Sequence, residues 1–214
     1  MSLVIETFHS SKTPWEVFQA IHASSQACFF LDSPQYAPPD QTYSYLGMNP
    51  ALEIRLEDEE LHVQGEVNEK YPARELFSVL KKLLGKYQFR GRNPQPFFTG
   101  GFVGYFGYEV ATLCDKINFR VKPAPDLPQL YLGLFRDVIV YDPRKRVYYL
   151  VTRGRGLKNL KSCFEESSGK PAQHFKLKKF AAEMTKTRFK GMVKKAKKYI
   201  AAGDIYQANL SQRF

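Results

Sequence analysis

The sequence predicts an α+β fold, with largely antiparallel sheets and helices packed against them. Three observations carry this. Short apolar or alternating runs are separated by tight turns, as in the pair around Leu52–Glu57 and Leu61–Val63. Three longer stretches place apolar residues at helical spacing, near residues 13–21, 72–84 and 185–202. Strands and helices are interspersed without the regular spacing of β-α-β units.

The elements follow in order. Thr13-Pro14-Trp15-Glu16 opens a helix: Thr13 can cap, Pro14 suits the first turn and Glu16 completes a capping box. Val17, Phe18 and Ile21 then form an apolar face. Cys28–Leu31 is a short strand ending in Asp32-Ser33. Pro34, Pro38 and Pro39 impose a loop before extended structure resumes at Tyr43–Gly47. Leu52, Ile54 and Leu56 alternate with Glu53, Arg55 and Glu57, and an acidic turn returns the chain through Leu61 and Val63 as a hairpin. Pro72–Leu84 reads as a second helix, with Leu76, Phe77, Leu80, Leu83 and Leu84 on one side and Gly85 as its stop. Leu130–Tyr141 and Val147–Thr152 read as a further hairpin turned at Asp142-Pro143. Residues 153–184 are polar and basic with little periodicity, apart from a short helix over Leu157–Phe164, and read as a connecting segment. The closing helix, Thr185–Ala202, sets Phe189, Met192, Val193, Ala196 and Ile200 on one face and most lysines outside it. Gly203 stops it. Ile205, Gln207, Asn209 and Ser211 then alternate with Tyr206, Ala208, Leu210 and Gln212, the period of a strand.

Composition narrows the class. In 214 residues, 43% hydrophobic and 14% aromatic content marks a globular chain rather than a disordered one. No apolar run reaches the roughly 18 residues that a membrane span needs. The first residues lack the basic and apolar regions of a signal peptide. Cys28, Cys114 and Cys163, three in number and far apart, fit buried thiols in a reducing cytoplasm. His9, His22, His62 and His174 share no metal-ligand spacing, so no zinc is expected. The net charge of +11 gathers in three basic segments without a nucleic-acid-binding signature, and reads as solvated surface.

Three stretches stand out chemically. Gly100-Gly101-Phe102-Val103-Gly104-Tyr105-Phe106-Gly107-Tyr108-Glu109 lacks the Lys-Ser/Thr of a phosphate loop and the context of a dinucleotide fingerprint. Glycines among aromatics suit close backbone approach at a strand-to-helix corner, or contact with a ligand. Leu31-Asp32-Ser33 is a strand end with a turn-capping pair. The run Gly203–Phe214 puts Gln207 and Asn209 on one face of a strand, fitting either a half-solvated sheet or a polar pocket.

Taken together, these islands resemble the component I chorismate-utilising synthases, the family of aminodeoxychorismate and anthranilate synthases. The Gly203–Phe214 run is similar to the segment that opens the family's chorismate-binding region, and the glycine run to a signature of its N-terminal half. Asn209 and the Leu210–Phe214 ending are closer to the aminodeoxychorismate branch. Pro125–Pro128 is a softer match. The resemblance implies an N-terminal portion of a longer enzyme: an N-terminal domain over 1–153, a basic connector over 154–184, and the start of a chorismate-binding domain over 185–214. It implies amination of chorismate toward folate, or anthranilate formation toward tryptophan, or a binding half that catalyses nothing alone. Magnesium is implied as cofactor, with ligands outside these residues, and a glutamine amidotransferase subunit as ammonia source.

The resemblance also implies residue roles. Leu31-Asp32-Ser33 resembles a motif that helps form a tryptophan pocket, assigning Ser33, Asp40, Gln41, Thr42 and Tyr43 to tryptophan. Many members carry an arginine before the aromatic residue, and Thr42 supplies no such cation. Gln207 resembles the position where water-adding relatives use a lysine base. An amide cannot deprotonate water but can orient ammonia or substrate, so Gln207 is the candidate catalytic residue of an amine-transferring branch.

Overall fold

A computed structural model describes residues 2–33, 43–57, 59–88, 95–117, 127–165 and 181–212. The chain divides into two compact units, Met1–Gly169 and Lys170–Phe214.

The first unit opens with β1 (Val4–Phe8), helix α1 (Pro14–Ser24), β2 (Cys28–Leu31) and β3 (Ser44–Met48). Next come β4 (Leu52–Glu57), β5 (Glu60–Gly65), β6 (Glu69–Pro72) and α2 (Leu76–Tyr87). The unit ends with β7 (Gly101–Phe106), β8 (Leu130–Phe135), β9 (Asp137–Asp142), β10 (Val147–Thr152) and α3 (Leu157–Glu165). The strands form two five-stranded sheets, ordered β1-β10-β9-β3-β2 and β6-β5-β4-β8-β7. All their pairings are antiparallel, as expected from the sequence.

Alternation along the strands builds three apolar layers. Leu52, Ile54, Leu56, Leu130, Leu132 and Leu134 meet Leu76, Val79, Leu80 and Leu83 of α2 on one face of the second sheet. Val17 and Ile21 of α1, with Leu160 and Cys163 of α3, cover Leu46, Ile139, Tyr148 and Leu150 of the first sheet. Between the sheets lie Phe135, Val138, Val140 and Val151, with Phe29 edge-on to Phe135 at 4.7 Å. Helices therefore cap both outer faces of a two-sheet sandwich.

The segment Leu130–Tyr141, expected as one arm of a hairpin, is two strands in two sheets, broken at Arg136. The reason lies in which faces are buried. Before the break the even-numbered leucines face α2. After it Ile139 faces the layer under α1 and α3, while Val138 and Val140 face the space between sheets. Arg136 is held at the corner by Glu66 at 2.8 Å. Residues 49–51 make the matching bend between β3 and β4. Because β3 pairs with β9 and β4 with β8, a two-stranded ribbon runs through both sheets.

α1 carries the expected capping box, with Thr13 N donating to Glu16 Oε2 at 2.7 Å. Those hydrogen bonds to Thr13, backbone first and side chain second, hold the Glu16 carboxyl below its ordinary value. α2 differs from expectation at both ends. It starts at Leu76, after a 3-10 turn over Ala73–Glu75, and continues past Gly85 to Tyr87. Phe77 and Leu84 are exposed, and Val79 takes the buried place. The edge strands β1 and β6 were not expected. Tyr71 and Lys70 of β6 are polar or amphipathic, and the strand is recruited by its ladder with β5 rather than by its own pattern.

The cysteines also depart from the sequence reading. Cys163 is buried, Cys28 is half-buried and Cys114 is exposed, and all three are free thiols.

The second unit contains α4 (Lys186–Ala202). Thr185 caps it, accepting from Arg188 N at 3.2 Å. Gly203 ends it in the left-handed conformation at φ 80°, with Gly203 N and Asp204 N bonded back to the last turn. The expected strand over 205–212 does not form: these residues are irregular and none pairs in a ladder. A strand holds its shape through inter-strand hydrogen bonds, and among the described residues nothing supplies them.

Candidate functional site

The best-defined polar constellation sits where β2 hands over to β3. The two strands pair in register from Cys28 opposite Met48 to Leu31 opposite Tyr45, so the next residues on each side, Asp32-Ser33 and Tyr43-Ser44, meet at the open end. Ser33 Oγ donates to the Tyr43 carbonyl at 2.7 Å. Ser44 Oγ donates to Asp32 Oδ1 at 2.6 Å, and Ser33 N reaches Ser44 Oγ at 3.5 Å. Ser33 and Tyr43, both singled out by sequence, are thus brought together. Asp40, Gln41 and Thr42 lie outside the described residues. Ser44 was missed as a polar partner, although period two from Leu46 places it on the buried side of β3.

An aromatic wall continues from Tyr43. Its ring meets Phe97 at 5.3 Å, edge-on, and Phe97 stacks on Tyr149 at 4.9 Å. Tyr45 lies 6.1 Å from Phe98. Burial pushes the Tyr45 hydroxyl up, so it stays protonated. At the outer end, the Lys145 ammonium reaches the Tyr149 hydroxyl at 3.4 Å, and that hydrogen bond raises its pKa. Chemically, the corner offers one carboxylate, a serine hydroxyl with free lone pairs and flat apolar rings. That set suits an amphiphilic aromatic ligand with a cationic group.

On the second sheet, Arg55 donates to Glu53 Oε2 at 2.6 Å and lies over the Tyr131 ring at 5.4 Å. The Glu53 hydrogen bond raises the pKa of Arg55. Burial first, then the Glu53 charge, pushes Tyr131 up to about 12. Within this cluster Arg55 Nε is buried without a hydrogen-bond partner among the described residues.

The glycine run forms β7 and the 3-10 helix Tyr108–Leu113, the strand-to-helix corner expected from sequence. A Cβ at Gly104 would run into the Tyr131 carbonyl oxygen, so glycine there permits the β7–β8 approach. A cleft of about 490 Å³ opens beside it, between the end of α2 and Gly100–Phe102. Its two arginines are engaged, Arg136 by Glu66 and Arg153 by Thr99 Oγ1 at 2.8 Å.

Gln207, the candidate catalytic residue, is exposed in the second unit and donates to Asn209 Oδ1 at 3.3 Å. The two amides are adjacent, as the sequence implied, but on irregular backbone. Among the described residues no three His, Cys, Asp or Glu side chains gather closely enough to hold a metal ion. None of the described helices is long and apolar enough to cross a membrane.

Comparison with known proteins adds the following. Residues 26–214 match the family model described as chorismate binding enzyme. The anthranilate synthase component 1 of Leptospira biflexa is 30% identical over 203 residues, covering 92% of this chain and 41% of the relative. That of Methanothermobacter thermautotrophicus is 28% identical over 202 residues, with 94% and 41% covered. The crystal structure of anthranilate synthase component I from Streptococcus pneumoniae TIGR4 shares the fold, at a TM-score of 0.55 and 24% identity, over 96% of this chain and 47% of that one. The chain therefore spans about four-tenths of the length of the curated relatives it matches.

Proposed function

Because this chain belongs to the chorismate-binding enzyme family, we propose that it supplies the N-terminal portion of a synthase that transfers an amino group to chorismate. The family match over residues 26–214 carries this reading. Two products fit. Anthranilate is favoured by the names of the similar relatives. The 4-amino-4-deoxychorismate of folate synthesis is favoured by the resemblance of the Asn209–Phe214 run to that branch.

In this reading Gln207 lies against the substrate and orients ammonia or a ring substituent through its amide, without acting as a base. The amidotransferase subunit delivers the ammonia. The described carboxylates form no metal cluster. Magnesium would be held by residues outside those described, and would supply Lewis-acid assistance to the substrate there. Asp32, Ser33 and the Tyr43 wall form part of a tryptophan pocket, in which Asp32 meets the ammonium group and the rings meet the indole.

The test joins this chain to the remaining portion of the Leptospira biflexa relative and supplies chorismate, magnesium and ammonium. Amination is expected, and the product distinguishes the branches: anthranilate with pyruvate, or 4-amino-4-deoxychorismate. Gln207→Lys is expected to lower amination. Unchanged amination in that variant would reduce Gln207 to a structural residue, and no consumption of chorismate by the joined protein would overturn the reading.

A further inference from the structure

The cleft between the end of α2 and the start of β7 is separate from the Asp32–Ser33 corner. Ser44, which bonds Asp32, begins β3. Ala51, beyond the other end of β3, donates to the carbonyl of Leu134, a lining residue of the cleft, at 2.8 Å. The cleft volume of about 490 Å³ is that of a small-molecule pocket. Leu84, Phe102, Leu134 and Phe135 give it an apolar lining, and the Tyr87 ring stands 6.5 Å from that of Phe102.

Two cations line the same space, and no Asp or Glu is among the lining residues. Arg153 N donates to the Arg136 carbonyl at 3.1 Å, so the two guanidinium side chains leave neighbouring points of the backbone. Each is positioned by a fixed partner. Arg136 gives two hydrogen bonds to Glu66, and Arg153 reaches the Thr99 carbonyl at 3.2 Å and its hydroxyl at 2.8 Å. A guanidinium carries five N–H donors, so the Glu66 pair leaves Arg136 with donor capacity. Burial lowers the pKa of Arg153, and a cation that water screens weakly acts more strongly on a nearby anion. Between them the backbone is bare. Gly100 has φ 105°, and a Cβ there would come 2.9 Å from the Phe135 carbonyl oxygen, so only glycine fits.

We propose that this cleft binds a small carboxylate carrying a flat apolar ring. The carboxylate accepts from Arg136 and Arg153, whose planar forks match its geometry and charge. The ring lies against Tyr87, Phe102 and Leu134 and leaves water. An inorganic anion would leave the apolar lining uncovered, and a neutral ring would gain nothing from the guanidinium groups. The site does not depend on which reaction the enzyme performs.

Calorimetric titration of the whole chain with naphthoate, naphthamide and inorganic phosphate tests this, with amide NMR shifts to locate the ligand. Naphthoate is expected to bind with a Kd below about 1 mM and to shift the amides of Tyr87, Gly100 and Gly101. Naphthamide has the ring without the charge, and phosphate the charge without the ring. Each is expected to bind at least about 10-fold more weakly. Arg153→Gln should weaken naphthoate about 10-fold and leave naphthamide unchanged. Leu84→Glu adds a carboxylate to the lining at an exposed position and leaves the Thr99 bonds intact. It should give the same contrast, and it decides the matter if Arg153→Gln does not fold. Ser33→Ala, at the other corner, should change neither affinity.

Equal binding of naphthoate and naphthamide overturns the proposal, and so does phosphate that binds as tightly as naphthoate. Shifts centred on Ser33 and Tyr43, or no saturation by naphthoate below about 1 mM, overturn it as well. A naphthoate affinity that neither folded variant changes does the same.

Discussion

The two units present the same kind of sequence signal with opposite outcomes. In the first, Leu52, Ile54 and Leu56 alternate with Glu53 and Arg55, and the alternation is realised as a strand flanked on both sides by ladders. In the second, residues 206–211 alternate in the same way, yet 205–212 form no strand. Local pattern supplies a strand with two faces, but only a neighbouring edge makes it persist. The difference between the units is the presence of partners for that pattern.

This contrast can be broken most forcefully in the first unit. Ile54→Ala or Ile139→Ala removes a fully buried side chain and is expected to cost about 2–5 kcal/mol, read as a lowered urea midpoint. Gly104→Val is expected to be at least as damaging, because its side chain meets the β8 backbone and not a movable side chain. A midpoint unchanged in these variants would mean the sandwich is not the stability-determining part.

A smaller effect is expected at the β2–β3 corner. Asp32→Ala removes the acceptor of the Ser44 hydroxyl, and Ser33→Ala the donor to the Tyr43 carbonyl. Each is expected to cost about 0.5–1.5 kcal/mol. Loss of tryptophan affinity beyond the loss of stability, measured in the joined protein, would mark a ligand site rather than a structural latch.

The alkaline limb of stability offers a finer probe. Tyr131 has its folded pKa raised to about 12 from 10 by burial. Its contribution is complete below 10 and is lost as pH rises through the folded value, because the unfolded chain ionises first. Tyr131→Phe should flatten the decline of the melting temperature between pH 10 and 12. An equal slope in variant and wild type would assign the decline to other groups. Smallest of all, Val193→Ala in α4 is expected to shift the chain's stability by within about 0.5 kcal/mol.

What the sequence disclosed followed from side-chain pattern. The capping box at Thr13–Glu16, the β4–β5 hairpin and the glycine stop at Gly203 are all local devices, and each is present. What it hid depends on distant partners. β1 and β6 are strands because β10 and β5 offer them edges. The break at Arg136 is invisible in composition, because both flanking runs are apolar and the change is one of which layer each face meets. Of the tryptophan candidates, Ser33 and Tyr43 meet at the end of the β2–β3 pair, a pairing that the structure supplies. The Ser44–Asp32 bond needed the register, which no single-strand pattern fixes.

The pairing of β1 with β10 has a consequence for how the chain is made. Val4 lies opposite Thr152. The first strand to leave the ribosome therefore waits for the last strand of its sheet before its ladder can close. At about 5–20 residues per second, that wait is on the order of 10–30 s. Over that time β1 is an unclaimed edge, and Ile5 and Phe8 have no sheet to pack on. The second sheet can close earlier, when β8 emerges beside β4. Ribosome-stalled chains ending before β10 should then be cut by protease within residues 4–8 while β4 and β5 resist, and the cut should vanish once β10 is outside.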